Sequence, residues 1–228
     1  MRHFLLKFIL KLLWSVGGAS DAVDGLTRLD ADDVSRLLPL LEAGDVVLIG
    51  NNGGLSHVAV YTGDGEIVHA MATEQTMRGK LGSLLDALLR PLRWLRGVVD
   101  NAGVIRETLA GFVERYERDT VVVLRAELSD DGLRRGLGHV HSIVGKAYDY
   151  AFQSDDDRYY CTEVALDFLE VARGTPLEVK ATTVKVPGLL RTTVYEPVAL
   201  WGPLPAVIAN SAARAQFAER LEGVHVLE

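Results

Sequence analysis

The sequence predicts an α+β fold in which a small antiparallel sheet packs against helices. Three observations support this prediction. Strand-like segments joined by short turns occupy residues 44–71, and several later stretches have the apolar period of amphipathic helices. In addition, 48% of the 228 residues are hydrophobic, which is enough to bury a core. We therefore expect one folded domain, residues 21–228, preceded by a distinct segment, residues 1–20.

The composition excludes several classes of protein. The chain has 31 acidic and 24 basic residues, and its net charge is −7. Because nucleic-acid-binding proteins usually carry a basic surface, no nucleic-acid partner is expected. The single cysteine cannot form an intrachain disulfide. No run of about 18 apolar residues is present, so an ordinary membrane-spanning helix is not predicted.

Residues 1–20 are basic and apolar on an otherwise acidic chain. On a helix, His3, Lys7, Lys11 and Ser15 would form one polar stripe among apolar residues. Three interpretations are open: a helix packed on the domain, a helix lying in a membrane interface, and a cleaved signal peptide. A helix of about 15 residues is only about 22 Å long, too short to cross the hydrocarbon core. The expected location is the cytoplasm or the membrane periphery of a bacterial cell, with export as the alternative.

The domain begins with a short amphipathic helix within residues 21–43 and continues into a three-stranded antiparallel meander. The meander strands are predicted at 44–50, 56–63 and 66–71, and Asp64-Gly65 forms the second turn. An aspartate-glycine pair between alternating segments is a strong signal for a tight hairpin.

Helices and strands then alternate up to the C-terminus. Residues 83–99 are predicted to form a basic amphipathic helix. The apolar period and the glycine and proline residues at segment ends predict the other elements: helices at 104–117, 130–144, 162–172 and 205–222, a strand at 120–128, and extended chain at 179–200.

The single cysteine is the first candidate for chemistry. Cys161 follows a polar stretch and lies at the start of the helix 162–172. A helix N-terminus favours the thiolate through its dipole and its unpaired N–H groups, which can also bind an oxyanion. The alternative is that Cys161 is a small buried apolar residue, as free cysteines often are.

Two histidines are candidates for the base that a nucleophilic cysteine needs. His57 and His69 lie on consecutive strands, and a slightly bulged register would place them a diagonal apart on one face. One imidazole could then act as the base while the other orients it. Each histidine taken alone could also be a half-buried strand residue. Their spacing does not fit a zinc site, so no metal is predicted.

Four segments, taken in their order along the chain, resemble the circularly permuted NlpC-type papain-like superfamily. They are GDVVLIG, SHVAVYTGDGEIVHA, GKAYDYAF and YYCTEVALDFL. The similarity is to its YiiX-like branch, which is related to the lecithin:retinol acyltransferase group. The resemblance covers about residues 40–72 and 119–170. It implies a permuted papain-like (NlpC-type) fold and a cysteine-dependent hydrolase or acyltransferase that works through an acyl-enzyme.

The resemblance also assigns roles to individual residues. It implies that Cys161 is the nucleophile, His57 the base and His69 the orienting residue. Tyr148 matches a tyrosine that lies near the nucleophile and can help to stabilise an oxyanion. No cofactor is implied. The segment 73–118 has no clear counterpart, so the substrate is less well defined than the chemistry.

Three other positions match the family without a catalytic role. Asp45 and Glu163 correspond to residues that support a turn and a helix start, and Thr162 stands where the family more often has serine.

A small-molecule, peptidyl or lipid-amide substrate is expected, because the relatives include cell-wall peptidases, amidases and lipid acyltransferases. The basic amphipathic segments 1–20 and 83–99 favour a lipid-linked substrate at an anionic membrane surface. Arginine-rich faces are, however, also common on ordinary solvated helices. Two alternative functions are a catalytically silent, membrane-associated binding module and a peptidoglycan endopeptidase.

Overall fold

The structure, a computed structural model, describes residue 29 and residues 31–51, 54–71, 103–116, 120–149, 157–186 and 190–227. Helices and strands of this part of the chain are numbered in chain order. The helices are α1 Ala31–Leu37, α2 Leu109–Tyr116, α3 Asp130–Ser142, α4 Cys161–Arg173 and α5 Ser211–Phe217. The strands are β1 Val46–Asn51, β2 Gly54–Gly63, β3 Glu66–Met71, β4 Gly103–Thr108, β5 Thr120–Leu124, β6 Ala147–Tyr148, β7 Arg158–Tyr159, β8 Thr182–Val186, β9 Leu190–Val194, β10 Ala206–Asn210 and β11 His225–Leu227.

Nine of these strands form one sheet in the order β11-β10-β5-β1-β2-β3-β4-β6-β7. Neighbouring strands are antiparallel except for the pairs β10–β11 and β6–β7, which are parallel. Strands β8 and β9 form a separate hairpin. The α+β class is confirmed, and the main sheet is larger than the small antiparallel sheet that the sequence predicts.

Two segments predicted as helices contribute strands to this sheet. Residues 104–117 divide into β4, whose residues from Ile105 onward alternate between partly buried and exposed, and the helix α2. Residues 205–222 divide into β10, the short helix α5 and a 3₁₀ turn. In both cases the predicted helix is wrong for the first residues, because pairing with a neighbouring strand decides their conformation.

The predicted meander is confirmed. Strands β1, β2 and β3 pair in antiparallel order, with Val47 opposite Ala59 and Val60 opposite Val68. Asp64 and Gly65 both have positive φ angles, 53° and 76°, as the tight hairpin turn requires.

Side chains of the sheet alternate between two buried faces, each covered by helices. We call them the α3/α4 face and the α1/α2 face. The first includes the strand residues Val46, Leu48, Val58, Val60, Val68, Ala70, Val122 and Leu124. The second includes the strand residues Val47, Ile49, Ala59, Tyr61, Ile67, Val121 and Val123. Helix α4 packs against β2 and β3, which brings its first residue close to the meander.

Close packing of α3 on α4 fixes the position of α4 on the sheet. Gly136 of α3 faces the Phe168 ring and Ala172 of α4, and a Cβ atom at position 136 would lie 2.8 Å from that ring. Gly174 ends α4 in the left-handed conformation, with a φ angle of 72°. The glycine at position 136 therefore allows the two helices to approach closely.

The predicted segments 1–20 and 83–99 lie outside the described residues. Among the helices that the structure does describe, none combines the length and the apolar character needed to cross a membrane.

Candidate active site

Cys161 is the first residue of α4, and hydrogen bonds of its neighbour hold the start of this helix. The backbone N–H of Tyr160, the N-cap residue, donates to Glu163 Oε2 at 3.1 Å. The Tyr160 hydroxyl accepts the backbone N–H of Tyr195 at 3.0 Å. These bonds fix the backbone that carries the thiol, and they agree with the structural role that the sequence predicts for Glu163.

The surroundings of the Cys161 sulfur favour the neutral thiol. Burial raises the pKa of Cys161 to about 11, against the opposing effects of the Thr162 hydroxyl and of the N–H groups of Val58, Thr162 and Cys161. The residue as a whole is partly exposed. From the sequence, the position of Cys161 at a helix N-terminus predicts a favoured thiolate. The N–H groups do act in that direction, but desolvation outweighs them.

The N–H of Val58 marks where the sulfur meets the sheet. N–H groups alternate in direction along an antiparallel strand. The N–H of Tyr61 donates to the carbonyl of Asp45 on the β1 side. Val58 is three residues earlier on the same strand, so its N–H points the opposite way, towards β3. Pairing between β2 and β3 extends from the turn only to Val60 and Val68, so it stops before Val58. We call the region beyond this last pair the β2/β3 seam. The Cys161 sulfur lies at this seam, beside the residue that follows His57.

The two histidines meet on the other side of the same seam. His57 Nε2 lies 2.9 Å from His69 Nδ1, and the two residues are 8% and 0% exposed. Both rings contact Phe112 of α2, with centroid distances of 5.6 Å and 4.9 Å. The predicted diagonal pairing of His57 and His69 on one face is therefore confirmed. The imidazole rings lie on the α1/α2 face, whereas the sulfur approaches the seam from the α3/α4 face.

Glu107 extends this chain of polar groups and was missed by sequence reasoning. Its Oε1 lies 2.7 Å from His69 Nε2, and its side chain is 12% exposed. It is on β4, two residues beyond Ile105, which pairs with His69. Residues 104–108, Val-Ile-Arg-Glu-Thr, do not alternate between apolar and polar, so the β-branched Val104 and Ile105 were the local signal for a strand beside β3.

Comparison with known families decides the assignment. A family described as permuted papain-like amidase enzymes, YaeF/YiiX, C92 family, matches residues 43–187, more than half of the chain. The chain belongs to this family. A search of curated proteins finds no match. The fold that the sequence resemblance implies is thereby shown, and membership in a family described as amidases supports a hydrolase.

The segment of the amidase that matches the family includes every candidate site residue. Cys161, His57, His69 and Tyr148 all fall within residues 43–187, and so does Glu107. Tyr148 ends β6, and its ring is buried in the α3/α4 core, against which Cys161 also packs. Its role at an oxyanion stays a prediction.

Asp45 of the amidase has the structural surroundings that the sequence predicts. Its carboxylate accepts the N–H of Glu42 at 2.8 Å and two hydrogen bonds from the Arg125 guanidinium, both at 2.7 Å. This network ties the turn before β1 to the end of β5. In the part of the chain that the structure describes, no group of three or more His, Cys, Asp and Glu side chains is placed to hold a metal ion.

Proposed function

We propose that this amidase cleaves amide bonds by covalent catalysis, with Cys161 as the nucleophile, His57 as the base and His69 as the residue that orients His57. The observation that carries the proposal is the imidazole pair, in which His57 Nε2 lies 2.9 Å from His69 Nδ1. Cys161 begins α4, the helix that packs against β2 and β3, the two strands that carry these histidines.

In the first half of the reaction the Cys161 thiol gives its proton to His57 while the sulfur bonds to the substrate carbonyl carbon. The carbonyl oxygen becomes an oxyanion, which N–H groups at the start of α4, together with Tyr148, would stabilise. The carbon–nitrogen bond then breaks, and His57 returns the proton to the leaving amine. The product of this half is a thioester on Cys161 and a free amine.

In the second half a water molecule attacks the thioester. His57 takes a proton from the water while the water oxygen bonds to the thioester carbon. The carbon–sulfur bond then breaks, the proton passes from His57 to the Cys161 sulfur, and a carboxylic acid is released. Another nucleophile in place of water would make the enzyme an acyltransferase.

A neutral resting thiol is compatible with this mechanism. Moving a proton from a thiol with a pKa of about 11 to an ordinary imidazole with a pKa of about 6.5 costs about 6 kcal/mol. A turnover of about 10 per second corresponds to a barrier of about 16 kcal/mol. The transfer therefore fits within an ordinary barrier when it accompanies the attack on the carbonyl.

For the substrate we propose a lipid-linked or acyl amide at an anionic membrane surface. The support is the composition of residues 1–20 and 83–99, which combine basic with apolar side chains. Sedimentation with anionic and with neutral phospholipid vesicles tests this proposal, using the full chain and a variant that lacks residues 1–16. Loss of anionic-vesicle binding in the deletion variant is the expected result. Absence of binding by the full chain would contradict it, and release of peptides from muropeptides would favour the endopeptidase instead.

An acyl-trapping experiment tests the nucleophile and the acyl group together. The protein is incubated with fatty-acyl and peptidyl active esters and its intact mass is recorded. Because the chain has one cysteine, a thioester can form only at Cys161. Wild type should gain the mass of the acyl group, the Cys161→Ala variant should not, and His57→Ala should react more slowly. His141→Ala is the matched control, since His141 is an exposed histidine on α3.

Two results would contradict the proposal. The first is equal acylation of the Cys161→Ala variant, which would show that another group is the nucleophile. The second is acylation of His57→Ala at the wild-type rate, which would show that His57 is not the base.

A further inference from the structure

The carboxylate of Glu107 lies at the far end of the histidine pair. Its Oε1 is 2.7 Å from His69 Nε2, and His69 Nδ1 is in turn 2.9 Å from His57 Nε2. We infer that Glu107 is a positioning residue, which acts through His69 to fix which ring nitrogen of His57 carries the proton. This inference rests on the proposed function, because it concerns the same base.

The hydrogen-bond chain determines the tautomer of each ring in turn. An ionised carboxylate only accepts hydrogen bonds, so His69 must donate from Nε2. A neutral imidazole carries one proton, so His69 Nδ1 is then an acceptor and His57 must donate from its own Nε2. His57 Nδ1 therefore carries no proton, and this is the nitrogen that can receive the proton of Cys161.

Without Glu107 the histidine pair would not be oriented. Two imidazoles joined by one hydrogen bond can be arranged in two ways, because either nitrogen can be the donor. In the reverse arrangement His57 Nε2 is the acceptor and His57 Nδ1 holds the proton, so His57 cannot take another proton from the thiol. An acceptor-only group at the end of the chain removes this alternative.

The carboxylate of Glu107 lies close to the start of helix α2. Its second oxygen, Oε2, lies at the first turn of α2, where a Cβ atom at Gly111 would be 3.6 Å away. The N-terminus of a helix carries partial positive charge and stabilises a carboxylate. Arg106, the neighbouring residue on β4, is directed to Glu66 of β3, at 3.5 Å.

The Glu107→Gln variant tests the inference, because a glutamine amide can accept from His69 or donate to it. Acylation of the protein by p-nitrophenyl acetate is measured at pH 7, and alkylation of Cys161 by iodoacetamide at pH 10. The variant should lose about 10- to 100-fold in acylation rate at pH 7, the range typical of partners that orient a functional histidine. Alkylation at pH 10 should stay within about twofold, because a thiolate that forms without a base no longer needs an oriented imidazole.

Glu66→Gln is the matched control. It removes the charge of a carboxylate on the adjacent strand that lies 3.5 Å from Arg106, and it should react like wild type at both pH values. A purely structural role of Glu107 would instead change both reactions of Glu107→Gln together.

Nitrogen-15 NMR of the imidazole rings provides a readout that does not depend on a substrate. In wild type both His57 and His69 should be in the Nε2–H form at neutral pH. Glu107→Gln should show the Nδ1–H form of His57 as well. A wild-type His57 with its proton on Nδ1 would overturn the inference directly.

The two proposals fail in different ways. Continued acylation of the Cys161→Ala variant would overturn the proposed function. If Cys161→Ala is inactive while Glu107→Gln acylates at the wild-type rate with unchanged tautomers, the proposed function stands and the role of Glu107 is refuted.

Discussion

Alkylation of Cys161 by iodoacetamide is expected to accelerate steadily with pH, without a plateau near neutrality. The thiolate is the form that reacts. Burial raises the pKa of Cys161 to about 11, so the free enzyme should hold a neutral thiol. As the pH rises towards this pKa, the thiolate fraction and the alkylation rate should increase together.

The expected size of the effect follows from the pKa. At pH 7 a thiol with a pKa of about 11 is ionised to about one part in 10⁴, compared with about one part in 10² at the ordinary value of 9.0. Alkylation of the folded protein at pH 7 should therefore be about a hundredfold slower than that of an unperturbed cysteine. Between pH 7 and pH 10 the rate should rise about tenfold per pH unit.

Intact-mass spectrometry over pH 6–10 measures this rate, with circular dichroism at each pH to show that the protein stays folded. The same chain unfolded in urea is an internal control, because its one cysteine is then exposed to solvent. Its alkylation should follow the pKa of an ordinary thiol. The difference between the two profiles reports the effect of the fold on Cys161.

A plateau in the rate between pH 5 and pH 8 that disappears in the His57→Ala variant would refute this reasoning. Such a plateau would mean that the thiol has already given its proton to the imidazole before any substrate binds. The charge pair would then outweigh burial, contrary to the direction derived from the structure.

Four further substitutions test the stability of the protein. Gly136→Ala should lower the free energy of unfolding in urea by about 1–3 kcal/mol, because its Cβ would lie 2.8 Å from an aromatic ring of α4. At Gly138 on the same helix an added Cβ atom would meet no atom within 4 Å, so Gly138→Ala should raise the free energy of unfolding by about 0.5–1 kcal/mol. Phe112→Ala should lower it by about 3–5 kcal/mol and slow acylation, since the Phe112 ring packs on both imidazoles. Cys161→Ala should lose less stability than wild type between pH 9 and pH 11, measured by urea unfolding at both values. A thiol with a raised folded pKa stabilises below its unfolded pKa, and this contribution is lost as the pH rises to the folded value.

Each of these expectations has its own contrary result. Equal effects of the two glycine substitutions would mean that the contact between α3 and α4 does not limit side-chain size. Unchanged acylation in Phe112→Ala would mean that the rings keep their places without it. Parallel loss of stability in Cys161→Ala and wild type would mean that the thiol does not titrate with a raised pKa.

The meander and its histidine pair could be predicted from the sequence because the signals are local. His57 and His69 are separated by 12 residues and one aspartate-glycine turn, so strand alternation is enough to place both on one face. Only the contact itself, 2.9 Å between His57 Nε2 and His69 Nδ1, needed the structure.

Glu107 could not be predicted in the same way, because its contact with His69 spans 38 residues of chain. Residues 104–108 directly precede the helix α2, and together the two segments contain enough apolar positions to suggest one continuous helix. Only pairing with β3 along its full length distinguishes the strand from the helix. The five residues Val-Ile-Arg-Glu-Thr show no period of two that would mark them as a strand against the neighbouring period of 3.6.

The pKa of Cys161 illustrates a different limit. Its place at the start of a helix is visible in the sequence, and the N–H groups there do lower the pKa. The larger effect is burial, which arises because α4 packs on β2 and β3 and carries the sulfur into the sheet. Desolvation depends on tertiary packing, which no local sequence pattern shows. The sequence therefore indicated the smaller contribution to the pKa of Cys161 and not the direction of the net shift.

The same packing explains why the site forms where the ladder between β2 and β3 ends. A strand that continued to pair would use the N–H of Val58 in the sheet, and a buried N–H without an acceptor would cost about 1–3 kcal/mol. The Cys161 sulfur lies near this N–H, which lowers the pKa of the thiol against the larger effect of burial. At this point β2 and β3 still lie close enough for their two imidazoles to be joined at 2.9 Å. The ladder between β2 and β3 therefore ends where Cys161 of α4 approaches β2, the strand that carries His57.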